Sequence, residues 1–339
     1  MLDSLTRGRP SLGGRTSTGG RTLSAAVASL VTVGLVIGLV SPGVVVAAPC
    51  CGGGSALPSL ITGDQAAQVG VSSSFGSVIG DAPVEGLPVF RPQNTADRTY
   101  TTTIDVAKLV SDSWQLGFSV PVVTRQVSEP GVRENFTGIG DARAVLGYEV
   151  LPELEYSEWK PRGFGFLSVT TPTGRSIHEA EKNLAVDSTG AGRFVVSLGA
   201  SFQKKFATID WVLIPEVHFS PTRQLTSRNQ VNTRLGSQAG GSALFGLGAS
   251  PEVLGLGGSV RFGLRVQPVL DSGFTVAEDG IEAITSRKLV FNAGADLGYL
   301  INQDWSASLS YNDQTLLGPV SNTTLSRSLG LAIQKRFER

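Results

Sequence analysis

The chain is poor in the residues from which most catalytic and metal centres are built. Two His, two Cys and one Met occur among 339 residues, and only 17% of the chain is charged. So few imidazoles and thiols exclude the usual zinc clusters, and neither a P-loop nor a dinucleotide fingerprint opening a helix is present. No cofactor is implied. A strongly basic face is missing as well. The formal net charge is zero, and setting aside the Arg-rich first 47 residues leaves a small acidic excess, so nothing predicts a nucleic-acid partner. Beyond residue 47 there is no apolar run long enough for a spanning helix, so any further membrane contact must be made by strands.

What is present is glycine, with 42 residues, and a 41% hydrophobic content that is periodic rather than scattered, which argues against disorder. Arg7, Arg9, Arg15 and Arg21 precede an uncharged apolar run from Leu23 to Val40, broken by Pro42-Gly43. Val45-Val46-Ala47 then offers small residues for cleavage. This order predicts an export signal over 1–47, with a retained anchor helix as the alternative. Cys50 and Cys51 follow directly. Pro49 makes a poor lipid-attachment context, and adjacent cysteines would form only a strained mutual bridge.

The stretch from Gly192 to Phe219 sets the plan. Phe194, Val196, Leu198, Ala200 and Phe202 alternate with smaller or polar residues. After Lys204-Lys205, Ile209, Trp211, Leu213, Pro215, Val217 and Phe219 alternate with Asp210, Val212, Ile214, Glu216 and His218. Successive side chains of a strand point to opposite faces, so each arm has one apolar face. Both arms reach the roughly 9–11 residues that a tilted strand needs to cross a bilayer. Further strands are expected near 65–77, 98–108, 113–124, 140–150, 163–171, 231–248, 258–270, 287–301, 304–314 and 325–337, making about twelve.

The connections are sorted. Ser111-Asp112, Lys204-Lys205 and Asn302-Gln303 are tight, whereas 78–97, 172–191 and 271–286 are long and polar. Short turns at one end and long loops at the other describe an all-β, antiparallel up-and-down barrel of the outer membrane, with the turns in the periplasm. Trp114, Phe164, Phe206, Trp305, Tyr148, Phe202, Tyr299 and Phe337 fall at the turn end, the level of an interfacial aromatic girdle. A domain plan follows: 1–47 signal, 48–64 a flexible segment able to thread the lumen as a plug, and 65–339 barrel. Extended at about 3.3 Å per residue, 48–64 would span more than an apolar band of about 25 Å.

Alternation assigns eight charges to the lumen: Asp105, Arg143, Glu149, Asp210, Glu216, Arg261, Arg265 and Asp296. On the lipid face a mid-depth Arg would cost about 2–4 kcal/mol, so inward placement is required for stability alone. Two readings of their role stand side by side, mutual neutralisation in a polar interior and selection of the solutes that pass. One enzyme-like feature occurs, His218 and Ser220 two residues apart on one face, as in outer-membrane lipid hydrolases. Phe219 there takes the lipid-facing parity, and a polar strand end is the plainer account.

Gly138-Ile139-Gly140-Asp141 opening a strand, Thr171-Pro172-Thr173-Gly174 after the next, and Thr189-Gly190-Ala191-Gly192 opening the one beyond form an ordered set. In this order the chain resembles the outer-membrane transporter family named for the meta pathway of phenol degradation, from about Phe136 to the C terminus. The resemblance implies a channel for small, aromatic or otherwise hydrophobic compounds and supplies no catalytic residues. The expected function is passive solute passage without enzymatic activity. The expected partners are outer-membrane lipid, small solutes and the barrel-assembly machinery. A closed structural or adhesion barrel, binding a partner through its long loops, is the alternative.

Overall fold

The computed structural model describes residues 59–83, 87–153, 157–206, 208–226, 231–250 and 259–339. The expected export signal, Cys50, Cys51 and the first part of the expected plug lie outside them. In chain order the strands are β1 (Ala67–Ala82), β2 (Val89–Phe90), β3 (Ala96–Leu109), β4 (Trp114–Glu129), β5 (Val132–Ile139) and β6 (Ala142–Leu151). Then come β7 (Arg162–Thr171), β8 (Val195–Lys205), β9 (Ile209–Ser220), β10 (Arg223–Thr226), β11 (Asn232–Leu235) and β12 (Gln238–Ala249). The last are β13 (Val260–Asp271), β14 (Thr275–Glu278), β15 (Ile281–Ile284), β16 (Lys288–Leu300), β17 (Trp305–Asp313) and β18 (Thr323–Phe337).

Twelve of these build the wall in the order β1-β3-β4-β6-β7-β8-β9-β12-β13-β16-β17-β18, and β18 pairs back onto β1. At that seam Ala67 lies opposite Phe337 and Ala82 opposite Thr323. Every wall pair is antiparallel. Closure is what lipid demands, since an open edge would leave backbone N–H and C=O groups without partners in hydrocarbon. Among the described residues no helix is long and apolar enough to cross a membrane.

Side-chain parity follows the alternation. Ile104, Phe118, Leu198, Val217, Leu247, Leu264 and Leu331 stand exposed on the outside, Leu264 at 68% and Leu198 at 63%. Gln115, Ser168, Ser197, Gln203, Ser306 and Ser310, on the opposite parity, are buried. A water-soluble protein does not expose so much large apolar surface around its circumference, whereas a barrel in lipid must.

Three local features depart from the sequence reading. Phe164, expected in the aromatic girdle, is 3% exposed and shares the inward parity of Phe166 and Ser168. Its level along the strand is that of the girdle, but its face is the wrong one. Trp114 and Tyr148, at the same end, are exposed and packed ring to ring at 4.8 Å. Secondly, the fourth wall strand is broken at Gly140-Asp141: β6 pairs with the lower part of β4, and β5 continues up its outer part as a hairpin closed at Pro130-Gly131. Thirdly, β10, β11, β14 and β15 form a separate four-stranded sheet from the two loops that follow β9 and β13, so β11 does not belong to the eighth wall strand.

Candidate functional site: the barrel lumen

The inward parity produces a cavity of about 350 Å³ that touches β1, β3, β4, β6, β7, β8, β9, β16, β17 and β18. One side of it is amide and hydroxyl in character, with Gln68, Ser72, Thr103, Ser306, Ser308 and Gln334. Across from these, buried Val145, Phe166, Val212, Ile214 and Leu244 form an apolar patch around Leu60.

The eight charges named from sequence fall into several groups. Arg261 of β13 bridges two carboxylates, Asp210 of β9 through Nε (2.7 Å) and Nη2, and Asp296 of β16 through Nη1 (3.1 Å). Arg143 of β6 reaches Glu216 of β9 at 3.4 Å and donates to Ser168 Oγ at 2.9 Å. Glu149 accepts from Arg162 at 2.7 Å. Arg265, buried, donates to Asn312 Oδ1 at 2.8 Å rather than to a carboxylate. Asp105 accepts from Ser59 Oγ at 3.0 Å. Asp105 and Arg143 border the cavity.

Residues 59–64 run back inside the wall that starts at Ala67. Gln115 of β4 holds the Ile61 peptide from both sides, accepting from its N–H and donating to its C=O. Gln68 donates to Leu60 O at 3.1 Å, and Gln203 and Arg162 donate to Thr62 O at 2.8 and 3.2 Å. Strand alternation could have marked Gln115 and Gln203 as inward, but not as partners of a chain segment. Gly117 explains why the segment fits: a Cβ there would lie 2.1 Å from Ser59 O, so the close backbone approach requires glycine.

The motifs behind the family resemblance meet in one place. Asp141, at the break between β5 and β6, accepts from the Gly174 N–H at 3.0 Å and from the Ala191 N–H at 2.7 Å. Thr173 Oγ1 donates to Gly140 O and accepts from the Ala142 N–H, while Thr189 Oγ1 donates to Ile139 O. A Cβ on Gly190 would come within 2.3 Å of Asp141 Oδ1. One carboxylate thus ties both ends of the β7–β8 loop to the wall, a binding set of main-chain groups. Within that loop Asp187 is fully buried. Burial opposes its ionisation, but the Glu181 and Lys182 N–H groups and Arg175 outweigh it and hold the carboxyl below its usual value.

His218 Nε2 is paired with Asp271 Oδ1 at 2.8 Å, and Lys288 approaches the same carboxylate at 3.6 Å. Ser220 is buried near the strand end. The imidazole thus serves a cross-strand hydrogen-bonded cluster around Asp271.

No protein-family model matches the chain, and no curated protein matches it. Among solved structures, the COG4313 outer membrane channel from Pseudomonas putida F1 is similar over 88% of this chain and all of that one, at 15% identity and a TM-score of 0.58. The NanC porin gives 9% identity and 0.42 over 79% and 98% of the two chains. The transport unit of the autotransporter AIDA-I from Escherichia coli gives 10% and 0.43 over 83% and 93%. The first likeness concerns the fold, and it agrees with the apolar exterior. The resemblance to the meta-pathway family rests on its three motifs, with no family model behind it, and the chain is a twelve-stranded outer-membrane β-barrel.

Proposed function

We propose that the chain is a passive outer-membrane channel for small solutes. The observation that carries this is the cavity of about 350 Å³ enclosed by a closed, externally apolar wall and bordered by polar side chains from most of its strands. The likeness in fold to a solved outer membrane channel supports it. In this reading residues 1–47 direct export, the barrel-assembly machinery inserts 65–339 into lipid, and the tight turns face the periplasm. Asp105, Arg143, Glu149, Asp210, Glu216, Arg261, Arg265 and Asp296 shape the polar part of the path.

Residues 48–64 act as a plug, a role supported by the contacts of Ser59–Asp64 with Gln115, Gln203 and Arg162. Small aromatic or otherwise hydrophobic solutes are the proposed cargo. The family resemblance points there, and the apolar patch under Leu60 would offer such a solute a surface once the segment withdraws. Planar-bilayer recording of the mature protein, with and without Cys50–Gly63, tests the reading. Several-fold higher conductance without the segment is expected, and a barrel silent in both forms would overturn the channel. Liposome swelling with aromatic, sugar and amino-acid panels then ranks the solutes.

A further inference from the structure

On the outside of the wall, the strand register stacks two different rows at the loop end. Tyr311, Leu329, Phe75, Tyr100 and Thr124 lie side by side across β17, β18, β1, β3 and β4, and the Phe75 and Tyr100 rings pack at 4.9 Å. One row nearer the loops stand Asp313, Arg327, Ser77, Arg98 and Gln126. On the other side of the aromatic row, Leu331 and Ile333 are exposed. Apolar, aromatic and basic rows in this order match the layers met on passing from hydrocarbon to headgroups. Height agrees. At about 3.3 Å per residue and a tilt of about 40°, β3 rises about 25 Å between its exposed cations Arg98 and Lys108, the height of the apolar band.

The carboxylate of the basic row is withdrawn from the surface. The Asp313 side chain is 3% exposed, and it accepts from Arg327 Nε at 2.8 Å and from the Tyr311 hydroxyl at 2.9 Å. Thr315 Oγ1 donates to Asp313 and accepts from Arg327 Nη2 at 3.3 Å. These bonds fix the Arg327 guanidinium while half of its side chain stays exposed. Arg98 is exposed and forms no ion pair among the described residues. Arg133 of β5, also exposed, stands one row nearer the loops, whereas Glu129 and Glu134, opposite Val132 and Val127, take the inward parity. Arg98 and Arg327 are the neighbours of Ser77 on its two sides. Adjacent strands lie about 4.8 Å apart, which puts the two Arg Cα atoms roughly 10 Å apart with one small side chain between them. A phosphate group flanked by two guanidinium forks fills a span of that size.

We propose that Arg98 and Arg327, with Arg133 above them, bind the phosphate of a phosphate-monoester lipid of the lipid A type in the outer leaflet. Its acyl chains lie against the aromatic and apolar rows below. The site rests on the membrane placement of the wall, with the loops at the outer face, and not on a conducting lumen.

Native mass spectrometry of the full mature chain, folded in detergent, with bis-phosphorylated and with dephosphorylated lipid A tests the site. One phosphorylated lipid per barrel is expected to bind at least tenfold more tightly than the dephosphorylated one, and Arg98→Gln should abolish that preference. Lys108→Gln removes the same charge from the other end of β3 and should bind like the parent. Arg327→Gln would strip Asp313 of its cation, so Arg98→Gln carries the comparison, with heat-modifiable gel migration showing that each variant is folded. Equal binding of the two lipids would overturn the site, as would equal weakening by Arg98→Gln and Lys108→Gln. Displacement of the lipid by an equal concentration of inorganic phosphate would overturn the lipid as its occupant. No readout here uses conductance, so a silent pore would leave this site standing.

Discussion

Asp141 shows how much one side chain can organise. It accepts two main-chain N–H groups from opposite ends of a single loop, and charge-assisted bonds of this kind contribute about 1.5–3 kcal/mol each. Asp141→Ala is expected to release that loop while leaving the barrel closed, so that trypsin cuts at Arg175 and Lys182 at least tenfold faster with unchanged gel mobility of the folded form. Asp187 makes the same loop sensitive to acid. Its carboxyl lies below its usual value in the folded loop, so its contribution is complete above the ordinary aspartate pKa of about 3.9 and is lost as pH falls through the lower folded value. Pepsin should therefore begin to cut near 177–190 only below pH of about 4, and Asp187→Asn should remove that threshold. Both aspartates sit in stretches whose Gly and Thr spacing was visible in the chain, but no spacing rule says that one carboxylate would join three motifs. Phe164 teaches the converse. Height along a strand was readable, and the face it occupies was readable too from Phe166 and Ser168, yet height alone suggested the girdle.

Among elements, the wall strands were the legible part, because a 2-residue period is imposed by lipid outside and polar groups inside. The break between β5 and β6 and the outer sheet of β10, β11, β14 and β15 were not. The four outer-sheet strands, of four residues each in polar loops, carry no period that a reader could separate from a turn. The segment before β1 is a third case: its Gly, Ser and Pro content signals only flexibility, whereas its seat is encoded elsewhere, in Gln115, Gln203 and the bare surface of Gly117. Gly117→Val is expected to evict Ser59 from the wall without breaking the β3–β4 pairing, and single-channel conductance should rise several-fold, approaching that of the Cys50–Gly63 deletion. A conductance equal to the parent's would show that the segment does not narrow the path.

At the scale of the molecule, closure depends on β1 meeting β18 across almost the whole length of the chain. Val71 lies opposite Ile333 in that seam. With Cys50 and Cys51 replaced by Ser, the pair Val71→Cys and Ile333→Cys is expected to oxidise within one chain, giving a species that stays compact on a boiled, non-reducing gel. A register shifted by one residue would turn the two thiols to opposite faces and prevent the bridge. The half-buried Arg261 pairing with Asp210 and Asp296 ties together side chains from β13, β9 and β16. Removing it by Arg261→Met leaves two carboxylates without their cation, at a cost of about 3–5 kcal/mol, and urea unfolding of the detergent-folded barrel should shift to lower concentration accordingly.

The base of the seam has a mechanical consequence. Ala66 is clamped on both sides, its N–H donating to Phe337 O and its C=O accepting from the Leu109 N–H, while the residues just before it hang inward on a few side-chain bonds. A pull on the leading end from below would load those bonds one after another, each worth about 1 kcal/mol. It would meet the joined strands only after they had let go. If the segment is the proposed plug, it is a tether that can be drawn out and slackened while the strands beside it keep their grip.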